Sequence, residues 1–143
     1  MIIPDVNLLV YAHNRAAVGH ERARAWWEDL VDREEPDRPG VGRHARFFVR
    51  LVTHPSVLVR PLAPVAALGH VRRWLEQESV RIVEPGPRHM DLLRALFQST
   101  GVAGSLTTDT HLAALAIEHQ AELHSNDADL ARFPGLRWRN PIA

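Results

Sequence analysis

The 143-residue sequence has no cysteine and no lysine, and only one tyrosine and two methionines. Without cysteine there is neither a disulfide framework nor a thiolate metal site, and a reducing cytoplasm is the expected compartment. No apolar run approaches the roughly 20 residues that a membrane-spanning helix needs. The amino-terminal stretch has no basic region ahead of its apolar residues and carries a carboxylate, Asp5, among them, so it does not read as a secretory signal. The formal net charge is zero, which by itself suggests neither a nucleic-acid coat nor an acidic surface protein. One further absence is local. No Asp or Glu lies between Asp37 and Glu76, whereas Arg38, Arg43, Arg46, Arg50, Arg60, Arg72 and Arg73 do, together with His44, His54 and His70. Every basic chain is therefore a guanidinium, a group suited to bidentate contact with phosphate. The stretch, and within it Arg43, Arg46 and Arg50, is either a phosphate-binding surface or a solvated face whose arginine stems cover core residues.

What is present fits one domain, residues 1–143, with 45% apolar content to build its core. Strand and helix patterns alternate, which predicts an α/β protein with a parallel sheet. Met1 to Pro4 reads as a strand and Val6 to His13 as a helix. "GHERARAWWEDLVD" gives a second helix with Ala23, Trp26, Trp27, Leu30 and Val31 on its apolar side. "REEPDRPGVG" reads as a loop by its Pro, Gly and charge content. "RHARFFVRLVTHP" reads as a helix with Phe47, Phe48 and Leu51 inward, and "APVAALGHVRRWLEQE" as one with Val65, Leu68, Val71, Trp74 and Leu75 on its apolar side. "VRIVEP" follows as a strand and "PRHMDLLRALFQST" as a helix. "SLTTD" is strand or loop, "HLAALAIEHQ" a helix, and "AELHSND" a strand and its exit turn. "ADLARFPGLRWRNP" reads as a short helix or turn leading to a tail.

Four acids fall at element junctions on this map: Asp5 after the first strand, Asp109 before an apolar helix, and Asp127 and Asp129 after a later strand. Each could be a helix cap worth about 1 kcal/mol. In an open parallel sheet, however, loops beyond the carboxyl ends of the strands converge on one crevice, and acids at equivalent junctions can meet there. Carboxylates brought together repel and are relieved by a divalent cation. With oxygen ligands only, Mg²⁺ or Mn²⁺ suits the set better than zinc. Such an ion lowers the pKa of a bound water and supports phosphodiester hydrolysis. His13, His44, His111 and His124 are candidate ligands or bases, but no spacing selects one of them, and a structural role is expected for each.

"IIPDVNLLVYA", "TTDTHLAALAIEHQAEL" and "SNDADLARFPGL", with "LVTHP", "VRIVEPGPRH" and "LRWRNP", resemble the PIN-domain ribonucleases, specifically toxins of the VapC type. The likeness runs in order over nearly the whole chain. It implies a three-layer α/β/α fold with a central parallel sheet, metal-dependent cleavage of RNA, a homodimer, and inhibition by a cognate VapB-type antitoxin. Carried over motif by motif, it makes Asp5, Asp109 and Asp127 the catalytic, metal-holding acids, with Asp129 beside them, and Asn7 the polar residue supporting Asp5. One position departs from the pattern. The glutamate common in the helix that contains Arg50 is replaced by Phe47, and that helix has no Asp or Glu at all. A PIN-fold module that binds antitoxin or RNA without cleaving is therefore the alternative. A phosphohydrolase using Asp5 as a covalent nucleophile is a third reading, weakened by Asn7 in place of a second aspartate and by the lack of lysine.

Overall fold

A computed structural model of the chain describes residues 1–33, 37–100 and 107–143. In order these form β1 (Ile2–Pro4), α1 (Val6–His13), α2 (His20–Val31), β2 (Gly40–Gly42), α3 (Ala45–Val52), α4 (Pro64–Leu75), β3 (Arg81–Val83), α5 (His89–Thr100), α6 (Thr107–Glu118), β4 (Glu122–His124), a 3₁₀ turn (Ala128–Arg132) and β5 (Arg137–Arg139). All strand pairs are parallel. β4 lies between β1 and β5, with Ile3 opposite Leu123 and Leu123 opposite Trp138. β2 pairs with β3, and a parallel bridge from Ile2 to Pro39, with the Ile2 amide donating to the Arg38 carbonyl at 2.8 Å, joins that pair to β1. The strand order is thus β3-β2-β1-β4-β5.

Adjacent residues on a strand point to opposite faces, and in β1 this alternation feeds two cores. Ile2 enters a core with Leu8, Trp26, Leu30, Val41 and Phe48, built from the helices α1 to α4. Ile3 enters another with Val83, Leu93, Leu96, Leu123 and Leu130, covered by α5 and α6. Helices on both faces of one sheet make the three-layer α/β/α arrangement. In α6, Ala113, Ala114 and Ala116 are fully buried, and their small side chains let its backbone lie close to the sheet. Among the described residues no helix is long and apolar enough to cross a membrane.

Four sequence readings are corrected. "GVG", read as loop, is β2. A Cβ on Gly42 would come 2.5 Å from the Val83 carbonyl, so the glycine that suggests a loop is what allows close approach to β3. The "RWR" of the expected tail is β5. Ser105 and Leu106 of "SLTTD" lie outside the described residues, while Thr107 to Asp109 form the first turn of α6, so Asp109 lies inside the helix rather than ahead of it. Finally, α4 does not bury the whole stripe. Ala67 is buried and Val71 and Trp74 pack on the first core, whereas Val65 and Leu68 are mostly exposed.

Phe48 tests the first core most directly, since it is fully buried and its ring lies edge-on to Trp74, 4.6 Å between centroids. Phe48→Ala should lower unfolding free energy by about 3–5 kcal/mol, read from urea denaturation followed by tryptophan fluorescence. An unchanged midpoint would show that this ring is not central to the core.

Candidate active site

After β1 the chain winds outward on one side through β2 and β3, then returns to the other side through β4 and β5. The reversal falls between β1 and β4, where the loops leaving the two strands diverge and open a crevice. Asp5 leaves the end of β1 and Asp127 follows β4, so both acids stand at this point.

Asp5 is 7% exposed, and its carboxylate needs donors. Its backbone amide donates to the His124 carbonyl at 2.8 Å, continuing the strand pairing. Oδ2 accepts from the Ser125 hydroxyl at 2.6 Å, and Oδ1 accepts a long bond, 3.4 Å, from the Asn7 amide as the cap of α1. Ser125 Oγ in turn accepts from the Asp127 backbone amide at 3.0 Å. Burial raises the Asp5 pKa, the Ser125 and Asn7 hydrogen bonds oppose that, and the charge of Asp127 adds to it. Both the capping and the clustering readings therefore apply to this residue. Asn7 supports Asp5 through its backbone N–H, while its side chain is exposed at the cleft.

Asp109 comes from α6 and is half-buried. Burial, and then the charges of Asp127, Asp5 and Asp129, push its pKa up to about 6. The four sequence-predicted acids thus share one electrostatic neighbourhood. Asp127 caps the 3₁₀ turn, its Oδ1 accepting from the Asp129 amide at 2.9 Å, and Asp129 pairs with Arg132 at 3.2 Å. Among the described residues, no three acids or histidines stand close enough together to hold a metal ion as they are placed. The set is instead spread and mutually repelling. All its donors are carboxylate oxygens, the ligand type that suits a hard divalent ion.

Asp5 and Asp109 line a cavity of about 650 Å³. Arg43, Arg46 and Arg50 line it too, with exposed side chains. So do Leu51, which also packs on the first core as the sequence pattern predicts, and Phe47, which does not take the inward position predicted for it. Phe48 alone of the two phenylalanines is fully buried.

The histidines take different places. His44 is half-buried with its ring set into the fold, its Nε2 is 3.1 Å from the Pro4 carbonyl, and the loss of solvent around the ring pushes its pKa down to about 4. It is therefore a neutral donor that ties the start of α3 to the strand end bearing Asp5. His124 accepts from Trp26 Nε1 at 3.0 Å and donates through Nε2 to Glu122 at 2.7 Å, inside the fold. His13 meets His70 and Phe48 edge-on. His111 lines the cleft and is 3.2 Å from His89, a residue that no sequence pattern singles out. Ser125 is likewise absent from the sequence-predicted set. Its signal is the spacing Ser125-x-Asp127 at a strand exit, where a hydroxyl can meet both neighbouring acids.

Comparison with known proteins agrees with this geometry. The PIN domain pattern matches residues 2–136. The chain is 46% identical to Ribonuclease VapC33 of Mycobacterium tuberculosis, with 99% of each chain covered. It is 38% identical to Ribonuclease VapC37 of the same species, over 100% of this chain and 99% of the relative. Among solved structures, VapBC2 from Rickettsia felis bound to a promoter DNA fragment superposes with a TM-score of 0.67 at 17% identity, covering 98% of both chains. A toxin–antitoxin complex from Klebsiella pneumoniae superposes at 0.61 with 16% identity, covering 99% of this chain and 98% of the other. With sequence likeness over its whole length and the matching three-layer fold, the chain belongs to the PIN-domain family as a ribonuclease of the VapC type.

Proposed function

We propose that this protein is a metal-dependent endoribonuclease, the toxin of a toxin–antitoxin pair, using Asp5, Asp109 and Asp127, with Asp129 beside them, to hold Mg²⁺ or Mn²⁺. The observation that carries this reading is the crevice itself: acids from β1, α6 and the β4 exit share one neighbourhood at the strand reversal, where burial and then their charges raise the proton affinity of Asp109. A divalent ion there would supply charge neutralisation and a water of lowered pKa for attack on a phosphodiester. The chain's own residues supply the rest. Ser125 and the Asn7 amide fix the Asp5 carboxylate, and Arg43, Arg46 and Arg50 face the approach of a phosphate backbone. Association with a VapB-type antitoxin, a homodimer and a cytoplasmic location go with this reading. Support for the antitoxin comes from the similar folds: the Rickettsia felis structure is of a VapBC pair, and the Klebsiella pneumoniae structure is of a toxin–antitoxin complex. A module that binds without cutting is favoured by one observation, the ring of Phe47 where an acid would complete the ligand set.

Purified protein freed of any inhibitor should cleave RNA in Mg²⁺ and stop in EDTA. Asp5→Asn should lower the rate on the order of a hundredfold or more, since the loss of metal assistance costs several kcal/mol. If RNA survives both the metal-loaded wild type and the variant unchanged, the enzyme reading fails and the binding module stands.

The raised Asp109 pKa fixes a pH dependence. An acid that holds its proton more tightly when folded loses stability as pH rises from its ordinary value of 3.8 through about 6. In chelator, Asp109→Asn should therefore melt above wild type at pH 7.5, with the difference closing by pH 4. Adding Mg²⁺ should stabilise wild type selectively by mass action. Equal melting curves at pH 7.5 would remove the repulsion from the account.

Arg50→Ala should weaken RNA binding and reduce the dependence of log K on log salt by about 0.7 if it meets one phosphate of a single strand. Titrations at several salt concentrations would measure this, and an unchanged slope would place Arg50 outside the contact.

A further inference from the structure

We propose that Phe47 is a stacking platform for an unpaired nucleobase of the bound RNA and so a specificity-determining residue. The proposal rests on the ribonuclease reading of the same cleft.

Residues 47 and 48 are adjacent phenylalanines with opposite fates. On a helix, successive side chains are turned by about 100°, so when Phe48 enters the core Phe47 must leave it. Phe48 is fully buried, whereas Phe47 is half-buried, lines the cavity with Asp5 and Asp109 and, among the described residues, joins neither apolar core. A half-wet phenyl ring contributes little to folding, which leaves its value at the cleft to be explained.

The ring is not alone there. Arg50 and Leu51 stand three and four after it and at helical spacing share its side of α3, and Arg43 lines the same cavity from the turn ahead of the helix. The Arg46 guanidinium lies over the Phe47 ring, 5.2 Å from its centroid. The cavity therefore joins carboxylates, guanidinium groups and an aromatic and aliphatic wall that includes Leu112. Its volume of about 650 Å³ is in the range of about 300–1,000 Å³ typical of sites that enclose small ligands.

One component of RNA matches each part of this lining. Phosphates suit the arginines, and the only broad apolar surface a nucleotide offers is the face of its base. In a duplex those faces are hidden by stacking and pairing, whereas an unpaired base can be splayed onto an aromatic side chain. Phe47 is thus suited to take a base while the neighbouring phosphate lies toward the carboxylates and arginines. The ring occupies the position where an acid was expected because that position faces the substrate.

The test uses two fluorescent oligomers of equal length and charge, a short single-stranded RNA of mixed sequence and its abasic ribose-phosphate counterpart, bound in chelator so that neither is cut. Wild type should prefer the base-bearing strand. Phe47→Ala and Phe47→Leu should weaken that binding roughly 5- to 150-fold, the factor one stacked base contributes, and leave the abasic strand unchanged, while Phe47→Trp keeps the preference. Phe47→Leu retains apolar volume, and melting curves of each variant separate loss of the ring from loss of the fold. Equal losses on both strands, or none, overturn the platform. Base preference retained by Phe47→Ala together with lost binding of an inhibitor protein would assign the ring to a protein partner, which also overturns it. If wild type cuts RNA in Mg²⁺ but its base preference ignores Phe47, only the platform fails. If it neither binds nor cuts RNA, the ribonuclease reading fails with it.

Discussion

A carboxylate buried at the end of a strand must be met by donors or by a cation, because an unpaired buried charge costs several kcal/mol. Asp5 imposes that constraint on everything near it. Its backbone amide holds β1 to β4 through the His124 carbonyl, and its two oxygens take the Ser125 hydroxyl and the Asn7 amide. Ser125 is then committed to Asp127, whose own carboxylate caps the next turn. The strand order, the first helix cap and the turn after β4 are thus linked through one acid.

The Ser125 hydroxyl and the Asn7 and Val6 amides do not fully offset the burial of the Asp5 carboxylate, and a neighbouring acid adds to that cost. Burial is the main cause that raises both the Asp5 and the Asp109 pKa, with Asp127 adding to the first and Asp127, Asp5 and Asp129 to the second. Hydrogen bonds tie the fold on both sides of these acids. Trp26, His124 and Glu122 form a hydrogen-bonded chain beneath β4, and neutral His44 holds the strand end at Pro4. The repulsion among these acids is the energetic ground for the divalent-ion chemistry proposed for them.

Much of this is legible in the sequence because period and position carry it. The helices that pack on the sheet show apolar stripes, Asp5 and Asp127 stand at strand exits, and Asp109 lies in the first turn of α6 rather than ahead of it. The readings that fail share a physical cause. Glycine in β2 suggests a loop, but strand pairing needs its missing side chain next to Val83. The apolar residues of α4 look like one buried face, yet only part of that face meets α3 and the first core, leaving Val65 and Leu68 outside. Phe47 looks inward for the same reason: apolar character suggests burial, but its position one residue before Phe48 turns it to the cleft.

The sequence by itself determined the alternation of strands and helices, the acids at the strand exits and the arginine-only, acid-free stretch, since these are properties of spacing and residue type. The tertiary structure decided which side chains share a cavity. Ser125 and His44 touch the Asp5 strand end only because distant segments are brought there, and Phe47 joins Asp5 and Asp109 only because α3 is rotated with Phe48 into the core. Distances across a fold follow from how elements pack, and no local pattern contains them.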